Sequence, residues 1–465
     1  MRIIVIFFTI FLVSCKTHIE VDNKIKVSHK YPLYFERAGQ VWIPISTNYL
    51  PEGNMQQVEE YFKRFSENGG NSMRIWISTE FLEIEDTTAG NYSEEKFSRI
   101  SQLLKYAEKY GIYIKFTLQH IRTISKTIHP NENWANSQAL SSQFKNIDEY
   151  VNTIRGKNSY LKRAKALSDR YKDHKYIYGW ELWNEMDAVV DDPSWKNFTP
   201  IIIDSLKHIF PDKLITQSLG SMHAPYMEEH YLSLSKIAQN DFLSIHRYLD
   251  QGNKWGQYDI VKGPIDLLIS DAIEKGLLLT KSNMKPVIIN EIGAVEPNHL
   301  GAFNLYKKDT KGVLLHDFIF TPFFCGSAGS GNTWHWNHYI EPMNLWFHFQ
   351  RFKTAIEGFD PIKERCRPFR FEHDNVRCYG LKGKNKTIIW CRDATNNWKT
   401  ELQDEIPAQT KTNFTFSLTD LVNVKYNHYN LYNPWTDQWT NNLPIKNGKI
   451  VVPNFLRSII VVLEN

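Results

Sequence analysis

The sequence predicts a (β/α)8 barrel followed by a small all-β sandwich, and three observations carry that prediction. Between about residues 31 and 357, apolar strand-like runs alternate with amphipathic helical runs, the pattern of a parallel sheet with crossover helices. Two of those runs, Trp180-Glu-Leu-Trp-Asn-Glu185 and Pro286-Val-Ile-Ile-Asn-Glu291, stop at an amide and a carboxylate. Such groups are too polar to bury unpaired and suit the mouth of a barrel. Beyond about residue 360 the helical period vanishes, and short strands separated by Gly, Asn and Pro take over. A doubly wound open sheet is the alternative, but no glycine-rich phosphate turn follows the first strand.

Taken in order, Arg2 and the apolar run Ile3 to Val13 read as a signal peptide, too short to span a bilayer. Leu12-Val-Ser-Cys15 resembles a bacterial lipobox, so residues 1–14 are expected to be removed and Cys15 to carry a lipid. An ordinary cleavage after Ser14 is the alternative. Residues 15–30 read as a lipidated cysteine and polar tether, 31–357 as the barrel and 358–465 as the sandwich.

The first strand is expected at Val41–Ile45 and the first helix over 57–67. Strand two is Ser72–Ile77, and a helix over 94–110 ends at Gly111. Strand three, Ile112–Leu118, leads into Gln119-His120 and then a long polar connection over 121–158 containing Trp134. A helix over 160–172 precedes the Glu185 strand, the fourth. Lys213–Ser218, Phe242–Tyr248 and the Glu291 strand are fifth, sixth and seventh. The eighth lies within Cys325–Trp336, before a closing helix over 345–357. In the sandwich, strands are read at Thr387–Cys391, Tyr426–Leu431 and Ser458–Leu463.

Composition narrows the function classes. The net charge is +4 with no concentrated basic run, which speaks against a nucleic-acid partner. Aromatics are abundant (14 Trp, 23 Tyr, 27 Phe), and Trp and Tyr faces serve both packed cores and sugar stacking. Apart from Cys15 there are Cys325, Cys366, Cys378 and Cys391, whose spacing settles no disulfide pairing. No CxxC or His-rich spacing suggests a metal, and no cofactor is expected.

With the strand ends placed, the chain resembles clan A glycoside hydrolases, most closely glycoside hydrolase family 5 and its cellulase-like relatives. The resemblance rests on residues in chain order: Arg74 ends strand two, His120 strand three, and Asn184-Glu185 strand four. His246 and Tyr248, in a His-x-Tyr pattern, end strand six, Glu291 ends strand seven, and Trp334 or Trp336 ends strand eight. It implies Glu185 as acid/base and Glu291 as nucleophile of a retaining β-glycosidase acting on a polysaccharide, β-mannan or β-glucan being favoured.

The chemistry has its own requirements. A retaining enzyme needs the two carboxyls about 5–5.5 Å apart. Arg74 and Tyr248 are expected to hold Glu291 ionised, while the charge of Glu291 is expected to keep a proton on Glu185. Asn184 suits a sugar 2-hydroxyl, His120 and His246 suit other hydroxyls, and Trp134 and the ring of strand eight (Trp336 preferred over Trp334) suit stacking. Each has a plainer reading: a helix-capping or solvated Glu185, a structural ion pair for Arg74, a loop amide for Asn184, satisfied core histidines. At the level of the whole chain, the alternatives are a non-catalytic carbohydrate-binding lipoprotein and an exo-acting enzyme on short oligosaccharides. The expected setting is a monomer anchored by Cys15 to a bacterial envelope membrane.

Overall fold

The computed structural model describes residues 23–85, 87–126, 134–252, 257–417 and 426–464. The segment read as a signal peptide and Cys15 lie outside them. Three short strands come first: β1 (Ile25–Val27), β2 (Phe35–Arg37) and β3 (Gln40–Trp42), an antiparallel sheet in the order β1-β2-β3. Strand β1 therefore lies inside the segment read as a tether, where Ile25–Val27 pairs with Phe35–Arg37. Phe35 packs edge-on against Phe242, and Trp42 lies against Tyr113 and Tyr178. Those three partners begin barrel strands, so this sheet plugs the N-terminal end of the barrel.

The barrel itself follows. Its strands are β4 (Ser46–Asn48), β5 (Ser72–Trp76), β6 (Tyr113–Gln119), β7 (Ile177–Trp183), β8 (Leu214–Thr216), β9 (Leu243–Asp250) and β10 (Val287–Val295). β4 to β8 are parallel neighbours in sequence order, as are β9 and β10. A bridge between Ser218 and Ser244 joins β8 to β9. The first barrel strand is thus 46–48, not 41–45: Pro44 has no N–H to give a central ladder, so the chain breaks there.

The eighth position is not a regular strand. Residues 328–334 cross between β10 and β4 through single bonds, Asn48 N to Thr333 O (3.0 Å), Asn332 N to Ile289 O (2.9 Å) and Trp334 N to Ile292 O (2.7 Å). The glycines there are steric necessities. A Cβ on Gly331 would lie 2.3 Å from the Phe318 carbonyl, and one on Gly329 2.5 Å from Pro44. Close backbone approach closes the barrel where side chains would hold it open.

The helices cover the barrel as their apolar periods predict. Met55–Glu67 starts in a capping box between Asn54 and Gln57, and Glu94–Tyr110 stops at Gly111 with φ 68°. Ile154–Tyr171 and Phe347–Ile356 correspond to the other two helices read from sequence.

The C-terminal region is all-β. Strands β11 (Arg367–His373), β12 (Val376–Lys382), β13 (Lys386–Asp393), β14 (Thr415–Ser417), β15 (His428–Asn433), β16 (Gln438–Pro444), β17 (Lys449–Val451) and β18 (Ser458–Glu464) form a sheet in the order β11-β12-β13-β18-β15-β16, with β14 paired to β17. Alternation along β12 and β13 sends Tyr379 and Trp390 toward the barrel's core and Cys378 and Cys391 into a separate core. Buried ion pairs Arg377–Asp266 and Arg392–Asp317 bolt the sheet to the helices Ile265–Leu279 and Val313–Phe324. All four described cysteines are free and buried; the sulfurs of Cys378 and Cys391, opposite each other in register, are 3.4 Å apart.

Candidate active site

Polar side chains crowd the C-terminal ends of the barrel strands, where the expected residues were placed. The innermost is Arg74 of β5, fully buried. Its Nε and Nη2 donate to the two oxygens of Glu181 (2.8 and 2.5 Å), and its Nη1 donates to Glu291 Oε1 (2.5 Å) and Asn48 Oδ1 (3.0 Å). Nη2 also donates to Asn184 Oδ1 (2.7 Å). That last bond fixes the amide of Asn184 with its oxygen inward, so its N–H groups are what it has to offer a ligand. Burial pushes the Glu181 carboxyl up, but Arg74 and Lys115 beside it outweigh this and hold it well below the usual carboxylate range.

Glu291 accepts from Arg74 on one oxygen and from the Tyr248 hydroxyl on the other, at 2.8 Å. Both oxygens act as acceptors, the bonding of a carboxylate. The parallel register between β9 and β10 slips between Ile289 and Glu291. Two consecutive residues, Asn290 and Glu291, can therefore both face the barrel interior, which a regular strand forbids.

Asn290 uses that position to orient His246. Buried Lys115 donates to Asn290 Oδ1, so Nδ2 of the same amide is the donor, reaching His246 Nε2 at 2.9 Å and Glu181 Oε2 at 3.2 Å. Nε2 of His246 is then an acceptor, and its proton sits on Nδ1, which donates to Glu185 Oε1 at 2.8 Å. Burial pushes the Lys115 ammonium down to about 8 against the pull of Glu181.

Glu185 itself follows β7 in the left-handed region, φ 48° and ψ 54°. It precedes the short turn Met186–Ala188 but its side chain caps nothing, so the helix-cap alternative fails. Its side chain is 19% exposed, and its Oε2 accepts from Arg122 Nη2 at 2.8 Å. One carboxyl oxygen of Glu185, one of Glu291 and a ring nitrogen of His246 all lie within 4.8 Å of one another. The two acids face each other across the barrel mouth. The guanidinium of Arg74 already balances Glu291, and that of Arg122 already balances Glu185.

One expectation is overturned. The charge of Glu291 does not leave Glu185 with a raised proton affinity. Burial pushes its carboxyl up, but the hydrogen bond from His246, then the charge of Arg122 and His299, hold it well below the usual range.

His120 also departs from its expected role. Both ring nitrogens are engaged within the protein, Nδ1 with Ser78 Oγ (2.6 Å) and Nε2 with the Trp134 carbonyl (2.7 Å). Burial lowers its imidazole to about 4. Neutral His120 therefore positions a loop instead of offering a nitrogen to a hydroxyl.

The aromatic residues form a wall. Trp334 packs on Trp76 (centroids 5.1 Å), Trp76 on His120 (5.0 Å), and His120 on Trp134 (5.8 Å). Trp134 is 61% exposed, whereas Trp336, the ring preferred from sequence, is 5% exposed and lies edge-on to Tyr49. Trp334, half-buried beside Trp76, is the better-placed ring of the eighth position. The wall borders two joined hollows of about 1000 and 600 Å³. A third cavity, of about 380 Å³, lies on the other side and is walled by Glu185, Tyr248, Asp187 and His299.

The sequence reading missed Glu181, Lys115, Asn290, Trp76 and Arg122. For Glu181 and Lys115 a signal existed: an ionisable residue in the middle of an apolar strand, on the same alternation as its polar end, is seldom buried without a partner.

Residues 36–315 match the family model described as Cellulase (glycosyl hydrolase family 5). Mannan endo-1,4-beta-mannosidase 4 of Solanum lycopersicum is 23% identical over 343 residues, covering 69% of this chain and 80% of that protein. Mannan endo-1,4-beta-mannosidase 3 of Arabidopsis thaliana is 24% identical over 293 residues, covering 55% and 68%. Among solved structures, a glycoside hydrolase family 5 protein from Bacteroides vulgatus superposes with a TM-score of 0.57 at 13% identity, covering 96% of this chain and 93% of that one. A family 5 mannosidase from Rhizomucor miehei gives 0.51 at 15%, covering 67% and 86%. These structural likenesses speak for the fold.

Proposed function

The chain belongs to glycosyl hydrolase family 5, and on that premise we propose that it hydrolyses a β-linked polysaccharide, β-mannan first, by a retaining double displacement. Glu291 attacks the anomeric carbon while Glu185 delivers a proton to the departing glycosidic oxygen; Glu185 then takes a proton from the water that releases the sugar. The observation that carries the reading is the approach of the Glu185 and Glu291 carboxyls to within 4.8 Å, close to the roughly 5–5.5 Å of retaining enzymes and short of the roughly 6.5–9.5 Å that inverting ones need for a water.

The other residues fit this chemistry. The acid must stand beside the leaving group, so the leaving-group sugar belongs in the cavity walled by Glu185, and the retained sugar on the Trp334, Trp76 and Trp134 side. Asn184, its oxygen held by Arg74, presents N–H groups to the 2-hydroxyl. Mannan is favoured because the plant relatives carry mannan endo-1,4-beta-mannosidase names. The proposal includes attachment to a bacterial envelope through a lipid on Cys15.

The test is incubation of the purified protein with mannan, glucan, xylan and galactan, with products separated by chromatography and their anomeric form followed by proton NMR. Expected is release of mannooligosaccharides whose new reducing end is first β. An α-anomer appearing first removes the double displacement, and inertness toward all four polymers removes the hydrolase reading.

Tyr248→Phe probes the nucleophile's setting. It deletes one hydrogen bond to a charged group, about 1.5–3 kcal/mol, so kcat/KM is expected to fall by roughly one to two orders of magnitude. An unchanged kcat/KM means that the 2.8 Å bond to Glu291 contributes nothing to the transition state.

A further inference from the structure

Arg122 takes no part in the double displacement, yet it contacts Glu185 through two nitrogens. Its Nη1 donates to the Glu185 backbone carbonyl (2.9 Å) and its Nη2 to Glu185 Oε2 (2.8 Å). One guanidinium thus grips both the main chain and the side chain of a residue held in the left-handed region, where a non-glycine residue is strained by about 1–2 kcal/mol. The arginine is itself fixed: its backbone N–H donates to Ala135 O (2.8 Å), and Thr123 bridges Asn136.

The two oxygens of Glu185 are consequently both occupied, Oε1 by His246 and Oε2 by Arg122. A proton donor must contact the glycosidic oxygen, and whichever carboxyl oxygen carries that proton competes with a hydrogen-bond donor already beside it. His246 is fully buried and locked from behind by Asn290 and Lys115. Arg122 has a side chain 20% exposed, on the connection after β6. It is the partner free to yield.

We infer that Arg122 is a positioning residue: it clamps Glu185 and gives up Oε2 to the glycosidic oxygen when the leaving-group sugar enters. The inference rests on the hydrolase reading above for the identity of that sugar's oxygen. The clamp itself consists of the two Arg122 contacts with Glu185.

Charge makes it measurable. Around Glu185 stand Arg122, His246 and Tyr248 of β9, Glu291 of β10, His299 on the turn after β10, and Asp187, which is held by Gly220 N and His230. Removing Arg122 takes away the cation in direct contact and leaves the rest. A cation that favours the ionised carboxyl delays protonation to lower pH, so its loss raises the pH at which Glu185 takes up a proton. The proton-donor form is lost as pH rises through that point, so the alkaline limb of kcat/KM moves up with it.

The experiment compares wild type with Arg122→Gln and Arg122→Lys in two ways. In protein labelled with ¹³C at the glutamate carboxyls, with the Glu185 signal assigned by its disappearance in Glu185→Gln, Arg122→Gln is expected to raise the Glu185 midpoint by about 1–2 pH units, and Arg122→Lys to leave it in place. In turnover, Arg122→Gln is expected to move the alkaline limb up by a similar amount with 4-nitrophenyl β-mannobioside, but not with the 2,4-dinitrophenyl analogue, whose leaving group departs without a proton. Arg122→Lys keeps the limb and lowers kcat, because a single ammonium cannot hold carbonyl and carboxylate at once. An unmoved midpoint in Arg122→Gln, or a wild-type kcat in Arg122→Lys, overturns the clamp. Should Arg122→Gln fail to fold, the lysine variant still decides through its midpoint and kcat. Failure of the wild type to cleave either glycoside strikes the hydrolase reading instead, and the carboxyl titration then decides the clamp alone.

Discussion

Glu291→Ala is expected to lower turnover of 4-nitrophenyl β-mannobioside by at least about 10⁴-fold, the scale on which removal of a covalent nucleophile is felt when nothing else can replace it. Nothing nearby can. Glu181, the closest other buried carboxylate in the network, is tied by both oxygens to Arg74 and by one to Lys115. Glu185 stands on the opposite side of the reacting carbon by virtue of its role. The variant should also fold. Arg74 loses one anionic partner but keeps Glu181 on Nε and Nη2, Asn184 also on Nη2 and Asn48 on Nη1, so no buried charge is stranded. A melting temperature close to wild type alongside lost turnover separates chemistry from collapse. Near-normal rates in this variant would mean that another group attacks the sugar, and the assignment would be abandoned.

The same network shows what could be read from sequence and what could not. Strand ends were legible because an apolar run that stops at Asn184-Glu185 or Asn290-Glu291 has few places to go except a barrel mouth. Arg74, His246 and Tyr248 do meet the two acids, as their strand-end positions implied. The eighth position was legible only as a region, since its glycine-rich chain carries no strand pattern and owes its path to Pro44, Phe318 and Ile292. The first strand was misplaced by a few residues because apolar character continues across Pro44 while pairing does not.

What escaped entirely is coupling through space. Arg122 lies 63 positions before the residue it grips, in a long polar connection whose length points to function without singling out this arginine. Asn290 shares the barrel interior with Glu291 only because of a register slip, which no periodicity announces. His120 was rightly placed but wrongly employed: its two nitrogens were already taken by Ser78 and Trp134. The proton affinity of Glu185 was misjudged for a related reason. From the chain alone Glu291 is the obvious neighbour, whereas the folded protein adds His246, Arg122 and His299, whose combined pull is larger.

Glu185→Ala is the complementary experiment, and its outcome depends on the leaving group. With a 4-nitrophenolate or a sugar departing, loss of the general acid is expected to cost about 10²–10⁴ in kcat/KM. With 2,4-dinitrophenolate, which leaves unaided, the first step should stay within about tenfold of wild type, because Glu291, Arg74 and Tyr248 are untouched. The second step then lacks its base, so the covalent sugar–Glu291 intermediate accumulates and a burst of dinitrophenolate precedes a slow steady state. Azide needs no deprotonation. It should enter the space vacated by the carboxyl, accelerate the steady state and yield a β-glycosyl azide, whose configuration reports two successive inversions. A fall of equal size on both leaving groups would show that Glu185 only shapes the site, and an α-glycosyl azide would show a single displacement. Arg122 Nη2 and His246 Nδ1 each lose a carboxylate oxygen in this variant, and both donors border the space where the anion is to bind. Rescue should therefore be stronger for azide and formate than for neutral nucleophiles of similar size, an asymmetry that a site without that pair of donors would not produce.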